Sequence, residues 1–528
     1  MRVLRYGFAA MAGLGMAVTL APVADAQTPQ RGGTAIMALN GEPTSLNPDI
    51  STNVPDRMVG CVVYQGLLEV SNDYKILPLL AKTWSGSPDG LTYSFELNKA
   101  EWHDGKPFTS EDVKYTLPEV AAKFSAIFAP AGRAIDTIET PAPDKVVIKL
   151  KQPFGPFLIS LGCIQGSAIM PAHVFRGTNP QTNPATTTAS MGTGSFKFVK
   201  WQHGDRIDLV KNEKYWEPGR PYLDAIVGKI ILNAAARTAA LRAGEVDFVH
   251  FMAASDKQAV ETDPKLKVVE SDVAPEVSLG FINVTHKPLD DKRVRQALFM
   301  AIDREYLWKN AFFGVGKVGV APFSTDMTWT TNPDIDYRKM YPFDIAKANA
   351  LLDEAGVKRG ADGKRFKVKI VTRATQYTEF HQASIAIKSM WAQLGVDADI
   401  ALLEDAIFAK ATYIDGDFDM MLNVYTSYSD PALGVARTFV SSAIAKPNGN
   451  STRYGNPAVD ALFDKGEAAT KLEDRGVFYK QAQTILAEDL PVFTLRQYKE
   501  IAGASKRLQG LWGVAQGNGQ WTQAWLEK

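Results

Sequence analysis

The sequence has little cysteine, little histidine and no net charge. Of its 528 residues two are cysteines and six are histidines, and 58 Lys and Arg residues balance 58 Asp and Glu residues. A nucleic-acid-binding protein usually carries a basic excess or a basic stripe, so this balance argues against a nucleic-acid partner. Hydrophobic residues make up 45% of the chain, which can therefore bury sizeable cores. At roughly 100–200 residues per domain, the length predicts two to four lobes.

The short motifs that carry enzyme chemistry are also missing. The chain contains no G-x-x-x-x-G-K-[ST], no G-x-S-x-G and no H-E-x-x-H, so neither ATP hydrolysis on a P-loop nor these two hydrolase chemistries are indicated. The histidines, at 103, 173, 203, 250, 286 and 381, have no metal-ligand spacing. We therefore predict no cofactor and no metal site, and interpret each histidine as a hydrogen-bonding residue.

Three glycines match a cofactor motif by spacing alone. Gly314, Gly316 and Gly319 fit the G-x-G-x-x-G fingerprint of dinucleotide-binding proteins, which must follow a strand and open a helix. Here the glycines follow a predicted helix and run into Pro322. We therefore interpret this stretch as a glycine-rich turn.

The N-terminus is typical of an exported protein. Arg2 and Arg5 precede an uncharged apolar run over residues 6–20, and the small-x-small pattern of residues 24–26 predicts cleavage before Gln27. A membrane anchor is the alternative, but the run is about 15 residues long and a span needs about 20. No cysteine near the cleavage site supports a lipid anchor. We predict a signal peptide over 1–26 and a periplasmic protein.

Cys61 and Cys163 are the two cysteines, and 102 positions separate them. An oxidising compartment permits a disulfide between them. Two buried free thiols fit the sequence equally well, so both possibilities stay open.

Local patterns predict an α/β protein. Tyr93, Phe95 and Leu97 alternate with polar residues, which is typical of a half-buried strand. Residues 233–243 form a predicted Ala-rich helix that Gly244 ends, and a predicted strand follows it. Asp344 is placed to cap another helix. Helix–glycine–strand units of this kind recur along the chain.

Residues 80–117, LAKTWSGSPDGLTYSFELNKAEWHDGKPFTSEDVKYTL, carry a specific resemblance. This stretch resembles the signature segment of the peptide/nickel/opine class of ABC-transporter extracellular solute-binding proteins. Two tight turns, at Asp89-Gly90 and Asp104-Gly105, lead into a strand and into a helix capped by Thr109 or Ser110. Further matches lie at 45–48, 192–216, 283–304 and 488–491, so the resemblance covers essentially the whole mature chain.

The resemblance implies a fold and a mode of action. The expected fold is α/β and periplasmic-binding-protein-like, with two α/β lobes joined by a hinge and an extra domain inserted in the first lobe. The lobes close over a small or peptide-like ligand and present it to ABC permease subunits in the inner membrane; we expect a monomer. The expected divisions are the signal peptide (1–26), lobe I (27–68, 186–272 and 490–528), the inserted domain (69–185) and lobe II (273–489).

The resemblance also implies ligand contacts from loops at the lobe interface. Arginine can pair with a carboxylate in two-pronged fashion, and tyrosine offers an apolar face with a polar tip. The candidate ligand-binding residues are Ser51, Thr52, Asn53 and Val54 in lobe I, and Arg373, Tyr377, Tyr425, Ser427, Tyr428 and Asp430 in lobe II.

One position departs from the peptide-binding pattern. Peptide-binding relatives often carry an Asp where this chain has Ser427, and that Asp pairs with the ligand's α-ammonium. A desolvated ammonium without a carboxylate partner is costly. Our hypothesis is that the ligand is not an ordinary peptide with a free amino terminus, or that another acid such as Asp430 substitutes.

Other functions stay open at this stage. Within the fold, the ligand can be a peptide, an opine, a glycoside or a chelate, including one of nickel. A ligand-sensing periplasmic subunit without transport has the same sequence features. A periplasmic hydrolase is the alternative from another class, and the missing nucleophile and metal motifs argue against it.

Overall fold

The structure is a computed structural model of the chain. It describes residues 28–51, 53–71, 75–270, 276–374, 379–498, 500–511 and 521–528. The predicted signal peptide lies outside these ranges, as do the candidate residues Thr52 and Tyr377.

The strands of the described residues form two large sheets, a four-stranded sheet and two two-stranded sheets. In chain order they are β1 (Thr34–Leu39), β2 (Leu68–Val70), β3 (Ile76–Pro78), β4 (Ala81–Gly86), β5 (Thr92–Leu97), β6 (Ile135–Ala142), β7 (Lys145–Leu150), β8 (Phe196–Gln202), β9 (Arg206–Lys211), β10 (Ala225–Ile230), β11 (Phe248–Val249), β12 (Leu266–Glu270), β13 (Glu276–Ile282), β14 (Lys317–Val318), β15 (Phe366–Arg373), β16 (Val396–Leu403), β17 (Met420–Thr426), β18 (Val492–Tyr498), β19 (Ile501–Ser505), β20 (Leu508–Gln509) and β21 (Trp525–Leu526).

The helices vary from single turns to an 18-residue helix. In chain order they are α1 (Val54–Val63), α2 (Ser110–Thr116), α3 (Ala122–Phe124), α4 (Ala129–Ala134), α5 (Ala172–Phe175), α6 (Ala234–Ala243), α7 (Lys257–Glu261), α8 (Lys292–Met300), α9 (Arg304–Tyr306), α10 (Tyr337–Met340), α11 (Ile345–Glu354), α12 (Glu379–Ala392), α13 (Asp405–Ala409), α14 (Pro431–Gly434), α15 (Ala436–Phe439), α16 (Pro457–Ala468) and α17 (Leu472–Asp489). Among the described residues, no helix combines the length and the apolar character that a membrane crossing needs.

Lobe I is built on a sheet with the order β12-β19-β11-β1-β10-β9-β8. Its central strand β1 runs parallel to β10 and to β11. Met37 and Leu39 of β1 pack into one apolar core, while Ala38 packs into a second core on the other face. A strand that is buried on both faces in this way is typical of α/β sheets.

Lobe II is built on a sheet with the order β14-β18-β13-β17-β15-β16. Strand β15 runs parallel to β16 and to β17, whereas β13 runs antiparallel to β17 and to β18. Every residue of β13 is buried, with Leu279 and Phe281 in one core and Ile282 in the other. The two lobes thus confirm the predicted α/β fold.

The inserted domain contains the sheet β4-β5-β7-β6. Tyr93, Phe95 and Leu97 of β5 lie together in its core, as their alternation predicts. Thr109 caps α2, and its backbone N–H donates to Asp112, which forms a capping box. The structure therefore selects Thr109, not Ser110, as the capping residue.

In lobe I and lobe II, helices α6 and α11 begin at the capping residues that the sequence predicts. The side chain of Asn233 accepts from the backbone N–H of Ala236 at the start of α6, and Gly244 ends the helix with φ of +75°. Asp344 accepts from the backbone N–H of Lys347 at the start of α11. These caps satisfy backbone groups that have no partner within the helix.

In the part of the chain that the structure describes, the sheets of the two lobes are joined at two crossovers. The first lies between Glu270, the end of β12, and Glu276, the start of β13, and the second between Tyr498, the end of β18, and Ile501, the start of β19. The expected boundary at 490 differs from this arrangement, because β18 follows it and pairs with β13 in the lobe II sheet. The structure therefore places residues 492–498 in lobe II and not in the last part of lobe I.

The glycine-rich stretch does not have the context of a dinucleotide site. It follows α9 and a π-helical turn, and it leads into the two-residue strand β14. A Cβ atom on Gly316 would collide with the backbone of Gln497, and one on Gly319 would collide with Thr494. These glycines let the turn lie directly against β18, so the structure supports the interpretation as a turn.

Cys61 and Cys163 form a disulfide, with their Cα atoms 5.9 Å apart. This bond resolves the alternative that the sequence left open. It joins helix α1 of lobe I to a loop of the inserted domain. Nearby, the carboxylate of Asp49 accepts from the backbone N–H of Ala168 and connects the same two parts of the chain.

Replacing both cysteines by serine is expected to destabilise the protein by about 2–5 kcal/mol, because the bond closes a long loop and restricts the unfolded chain. The measurement is the urea midpoint of wild-type and Cys61→Ser/Cys163→Ser protein, each with and without a reducing agent. The reducing agent should lower the midpoint of the wild type and leave that of the double variant unchanged. Equal midpoints for both proteins without the reducing agent would contradict the disulfide.

Candidate ligand-binding cleft

The parallel strands of each lobe end at the edge of the sheet that faces the crossovers, which is where a cleft between the lobes is expected. In lobe I these are the ends of β1, β10 and β11, and in lobe II the ends of β15, β16 and β17. The crossovers join the lobes at this same edge, since Glu276 pairs with Thr426 at the end of β17 and with Tyr498 at the end of β18. Ligands of open α/β sheets lie outside the carboxyl ends of the strands. The geometry therefore indicates where a solute binds.

Tyr428 connects the two lobes across this cleft. Two guanidinium groups contact its ring, that of Arg57 in α1 at 6.0 Å from the ring centroid and that of Arg437 in α15 at 5.7 Å. Elsewhere, the backbone N–H of Gly155 in the inserted domain donates to the carbonyl of Glu467 in α16, at 2.7 Å. Lobe II therefore contacts both lobe I and the inserted domain.

The backbone around Tyr428 is strained. Tyr428 has φ of +48° and Ser429 has φ of +67°, a region that residues other than glycine seldom occupy. The hydroxyls of Ser427 and Ser429 are buried and have no hydrogen-bond partner in the part of the chain that the structure describes. Strained backbone and unsatisfied polar atoms are typical of binding sites.

The lobe I candidates lie at the start of α1, one turn from Arg57. The hydroxyl of Ser51 accepts from the backbone N–H of Asn53 at 3.0 Å. Asn53 is exposed, whereas Val54 packs against the lobe I core. Ser51 and Asn53 thus offer polar groups near the lobe contact, and their roles in binding stay predictions.

Two arginines line a polar cavity of about 160 Å³ in lobe II. Arg373, the last residue of β15, pairs with Asp405 at 2.7 Å and stacks on Phe408 at 4.3 Å. Arg437 makes neither a hydrogen bond nor an ion pair with any described residue; its contact is with the ring of Tyr428. The described lining contains no carboxylate, so the cavity is positive. Arg437 was missed at the sequence level, because nothing local distinguishes it from a surface arginine.

Tyr425 lines the same cavity but is fixed by the core. Its hydroxyl donates to the carbonyl of Pro322 at 2.9 Å, and its ring packs in the lobe II core. Burial raises the pKa of Tyr425, so the phenol stays neutral. Tyr425 can shape the cavity, and its role in contacting a solute stays a prediction.

Asp430 pairs with Arg475 inside lobe II. Two N–H groups of the Arg475 guanidinium donate to the two oxygens of Asp430, both at 2.6 Å, and Asp430 also caps α14 by accepting from the backbone N–H of Ala432. The side chains are 0% and 2% exposed. Both carboxylate oxygens are thus engaged, so this geometry disfavours Asp430 as the acceptor of a ligand's ammonium group.

A second group of charged side chains lies at the crossovers. It was also missed, because its members come from four separate segments of the chain. We name Glu276, Glu379, Glu500, His250 and Arg496 the hinge cluster. His250 contacts Glu500 at 3.1 Å, and Arg496 pairs with Glu379 at 2.8 Å. Burial and the neighbouring Glu500 raise the pKa of Glu276 to about 8. Sequence spacing could not reveal this set.

The described residues contain no group of three or more His, Cys, Asp or Glu side chains with the geometry of a metal site.

The family model described as bacterial extracellular solute-binding proteins, family 5 (middle), matches residues 75–446. The chain belongs to this family. It is 29% identical to the glutathione-binding protein GsiB of Pectobacterium atrosepticum, over 90% of this chain and 91% of that protein. It is 30% identical to a putative ABC transporter peptide-binding protein of Brucella abortus, over 88% of this chain and 86% of that protein.

Solved structures have the same fold. The oligopeptide-binding protein AppA of Bacillus subtilis, in complex with a nonapeptide, superposes with a TM-score of 0.80 at 27% identity, over 95% of this chain and all of that chain. The binding protein DppA of Helicobacter pylori, in complex with the peptide STSA, gives a TM-score of 0.79 at 25% identity, over 94% and 99% of the two chains. The predicted family and the predicted solute-binding function are confirmed: this family 5 protein is a solute-binding protein of the ABC-transporter type.

Asp430→Asn is expected to destabilise this family 5 protein by about 3–5 kcal/mol, because it leaves the Arg475 charge buried without its partner. The measurement is the urea midpoint of unfolding. The matched control is Glu119→Gln, which removes an acid from the exposed pair with Lys123 at 2.6 Å and should cost less than about 1 kcal/mol. If both variants unfold at the wild-type midpoint, the buried pair does not exist as described.

Proposed function

We propose that the protein is a periplasmic receptor that captures a small, carboxylate-bearing, peptide-like solute between its lobes and delivers it to the permease subunits of an ABC importer. The observation that carries the ligand class is the two-arginine cavity at the carboxyl ends of the lobe II strands. The protein acts by binding and release, without catalysis.

The charge balance of the cavity supports a solute that carries an anionic group. Asp405 offsets the charge of Arg373, whereas Arg437 has no acidic partner among the described residues. A guanidinium with reduced access to water gains most from a carboxylate, which it can bind through two parallel hydrogen bonds. A carboxylate in the cavity would therefore pair first with Arg437, and Arg373 would add a second positive charge nearby.

The relatives support a peptide-like solute. Two of them are described as glutathione-binding and as peptide-binding, and the related structures of AppA and DppA hold peptides. Free peptides and glutathione both carry at least one carboxylate, which is the group that the cavity favours. The name of any one relative does not fix the ligand, because the relatives at similar identity bind different solutes.

Two features of the chain support export to the periplasm. The pattern of residues 1–26 is that of a cleaved signal peptide. The disulfide between Cys61 and Cys163 fits an oxidising compartment. The description of a relative as a putative ABC transporter peptide-binding protein supports delivery to a permease over sensing alone.

Arg437→Gln is expected to weaken the binding of carboxylate-bearing solutes by about 10- to 100-fold, since a hydrogen bond to a charged group contributes about 1.5–3 kcal/mol. The measurement is isothermal titration calorimetry with a panel of glutathione and unmodified di- to pentapeptides, each compared with its C-terminal amide. The wild type should prefer the free carboxylate, and the variant should lose that preference.

The control for this substitution is Arg242→Gln, at an exposed arginine in the last turn of α6, which should leave affinity unchanged. Native mass spectrometry of protein purified from its host then identifies the natural solute. A wild-type protein that binds no member of the panel, or an Arg437→Gln variant that keeps the full preference for carboxylates, would overturn the proposed ligand class.

A further inference from the structure

A free peptide carries an ammonium group as well as a carboxylate, and the usual acceptor of that group is missing. The family resemblance implies an acidic acceptor at the position of Ser427, which is a hydroxyl here, and Asp430 is engaged by Arg475. Glu276 is a nearby acid that has one carboxylate oxygen free to accept a hydrogen bond. It is 4% exposed, and its Oε2 atom has no hydrogen-bond partner in the described chain. An unpartnered buried carboxylate oxygen is rare in proteins and calls for a physical explanation.

The hinge cluster as a whole has an excess of negative charge. Its three carboxylates face one guanidinium, that of Arg496, and one imidazole, that of His250. Arg496 does not hydrogen-bond Glu276: its guanidinium donates to Glu379 and to the hydroxyl of Ser278. When Glu276 is ionised, its charge has no ion-pair partner among the described residues.

Two further polar atoms of the cluster lack partners. Nη1 of Arg496 and Nδ1 of His250 are buried and make no hydrogen bond to a described residue. The guanidinium of Arg496 is held between the rings of Phe312 and Tyr498, at 4.2 and 4.3 Å from their centroids. Because stacking on both faces fixes Arg496, this group cannot swing round to neutralise Glu276.

The cluster and the arginine cavity are neighbours. Thr426 lines the cavity, and its hydroxyl donates to Oε1 of Glu276. Thr426 also directly precedes Ser427 in the chain. A negative group and a positive cavity thus lie on either side of one residue at the edge of the cleft, which is the arrangement that a zwitterion requires.

We propose that the hinge cluster is the subsite for the ammonium group of the solute, with Oε2 of Glu276 as the acceptor in place of the carboxylate that Ser427 does not supply. This inference rests on the proposed function, because the same solute places its carboxylate in the arginine cavity. It identifies the ligand class as a zwitterionic, peptide-like solute with a free amino group.

If an ammonium group binds Glu276, the binding of the solute releases a proton from this side chain. Burial and Glu500 raise the pKa of Glu276 to about 8, while Arg496 opposes this shift and Glu379 adds to it. Below that pH the free protein holds a proton on Glu276, and an arriving ammonium displaces it. Affinity should therefore rise with pH by up to about tenfold per unit between pH 6 and 7.5. Affinity rises with pH, and does not fall, because the ammonium group binds the ionised carboxylate.

The experiment compares each free peptide of the panel, and glutathione, with its N-acetylated form by isothermal titration calorimetry at pH 6.0, 6.75 and 7.5. Titrations in buffers of different ionisation enthalpy count the protons released. Wild-type protein is measured beside Glu276→Gln and the matched control Glu69→Gln. Glu69 is another glutamate whose pKa burial raises to about 8, but it lines a cavity beside the Cys61–Cys163 disulfide. Thermal unfolding verifies that each variant is folded.

The expected result has three parts. Wild-type and Glu69→Gln proteins bind free-amine peptides at least about tenfold more tightly than their acetylated forms, and they release protons on binding. Glu276→Gln loses both the preference and the proton release. If wild-type protein binds free and acetylated forms equally, or if Glu276→Gln keeps the preference, the inference is overturned and the proposed function stands. If wild-type protein binds neither form of any peptide, the proposed function itself is overturned.

Discussion

The buried ion pair between Arg475 and Asp430 holds the segment on which the cleft depends. This segment, residues 426–431, contains Thr426, the strained residues Tyr428 and Ser429, and the start of α14. Backbone strain of this kind costs about 1–3 kcal/mol per residue and persists where the surroundings fix the conformation. Arg475 supplies that restraint from α17, with a third hydrogen bond to the carbonyl of Gly466. Without the pair, neither the lobe contact of Tyr428 nor the wall between cavity and cluster would have a fixed position.

Much of the fold could be predicted from the sequence, because it depends on local patterns. The alternation in β5, the caps of α6 and α11 and the turn at Gly314–Gly319 all follow rules that act over a few residues. The resemblance of residues 80–117 to a known class extended these local predictions to the whole fold. The boundary at 490 was placed too early, since the apolar pattern of β18 does not indicate which of two sheets it joins.

The candidate site was harder to predict, because its charges depend on contacts between distant segments. In the sequence nothing near Asp430 indicates an ion pair, because its partner Arg475 lies 45 residues later. Arg437 can be recognised as a candidate only from its contact with the ring of Tyr428 and from a cavity whose described lining contains no acid. The hinge cluster needs both crossovers, which bring Glu500 within reach of His250 of lobe I and close to Glu276. For Arg373, by contrast, the position at the end of a strand could be inferred from the family pattern.

In the proposed site, the charges are arranged as a dipole across β17. The positive end is the cavity of Arg373 and Arg437, and the negative end is the hinge cluster. Such an arrangement discriminates between solutes by penalising the wrong charge as much as by stabilising the right one. A solute with one charge alone would leave the opposite end of the cleft desolvated and unpaired.

The disulfide has a mechanical consequence for lobe closure. Cys61 and Arg57 lie on the same helix, one turn apart, and Cys61 is bonded to the inserted domain. The disulfide thereby links lobe I covalently to the inserted domain. In an opening motion we expect these two parts to move together, and the contacts of Arg57 with Tyr428 and of Gly155 with Glu467 to separate. Tyr428 lies two residues from Thr426, whose hydroxyl donates to Glu276 at a crossover, so the contact between Arg57 and Tyr428 lies close to the point about which the lobes would rotate.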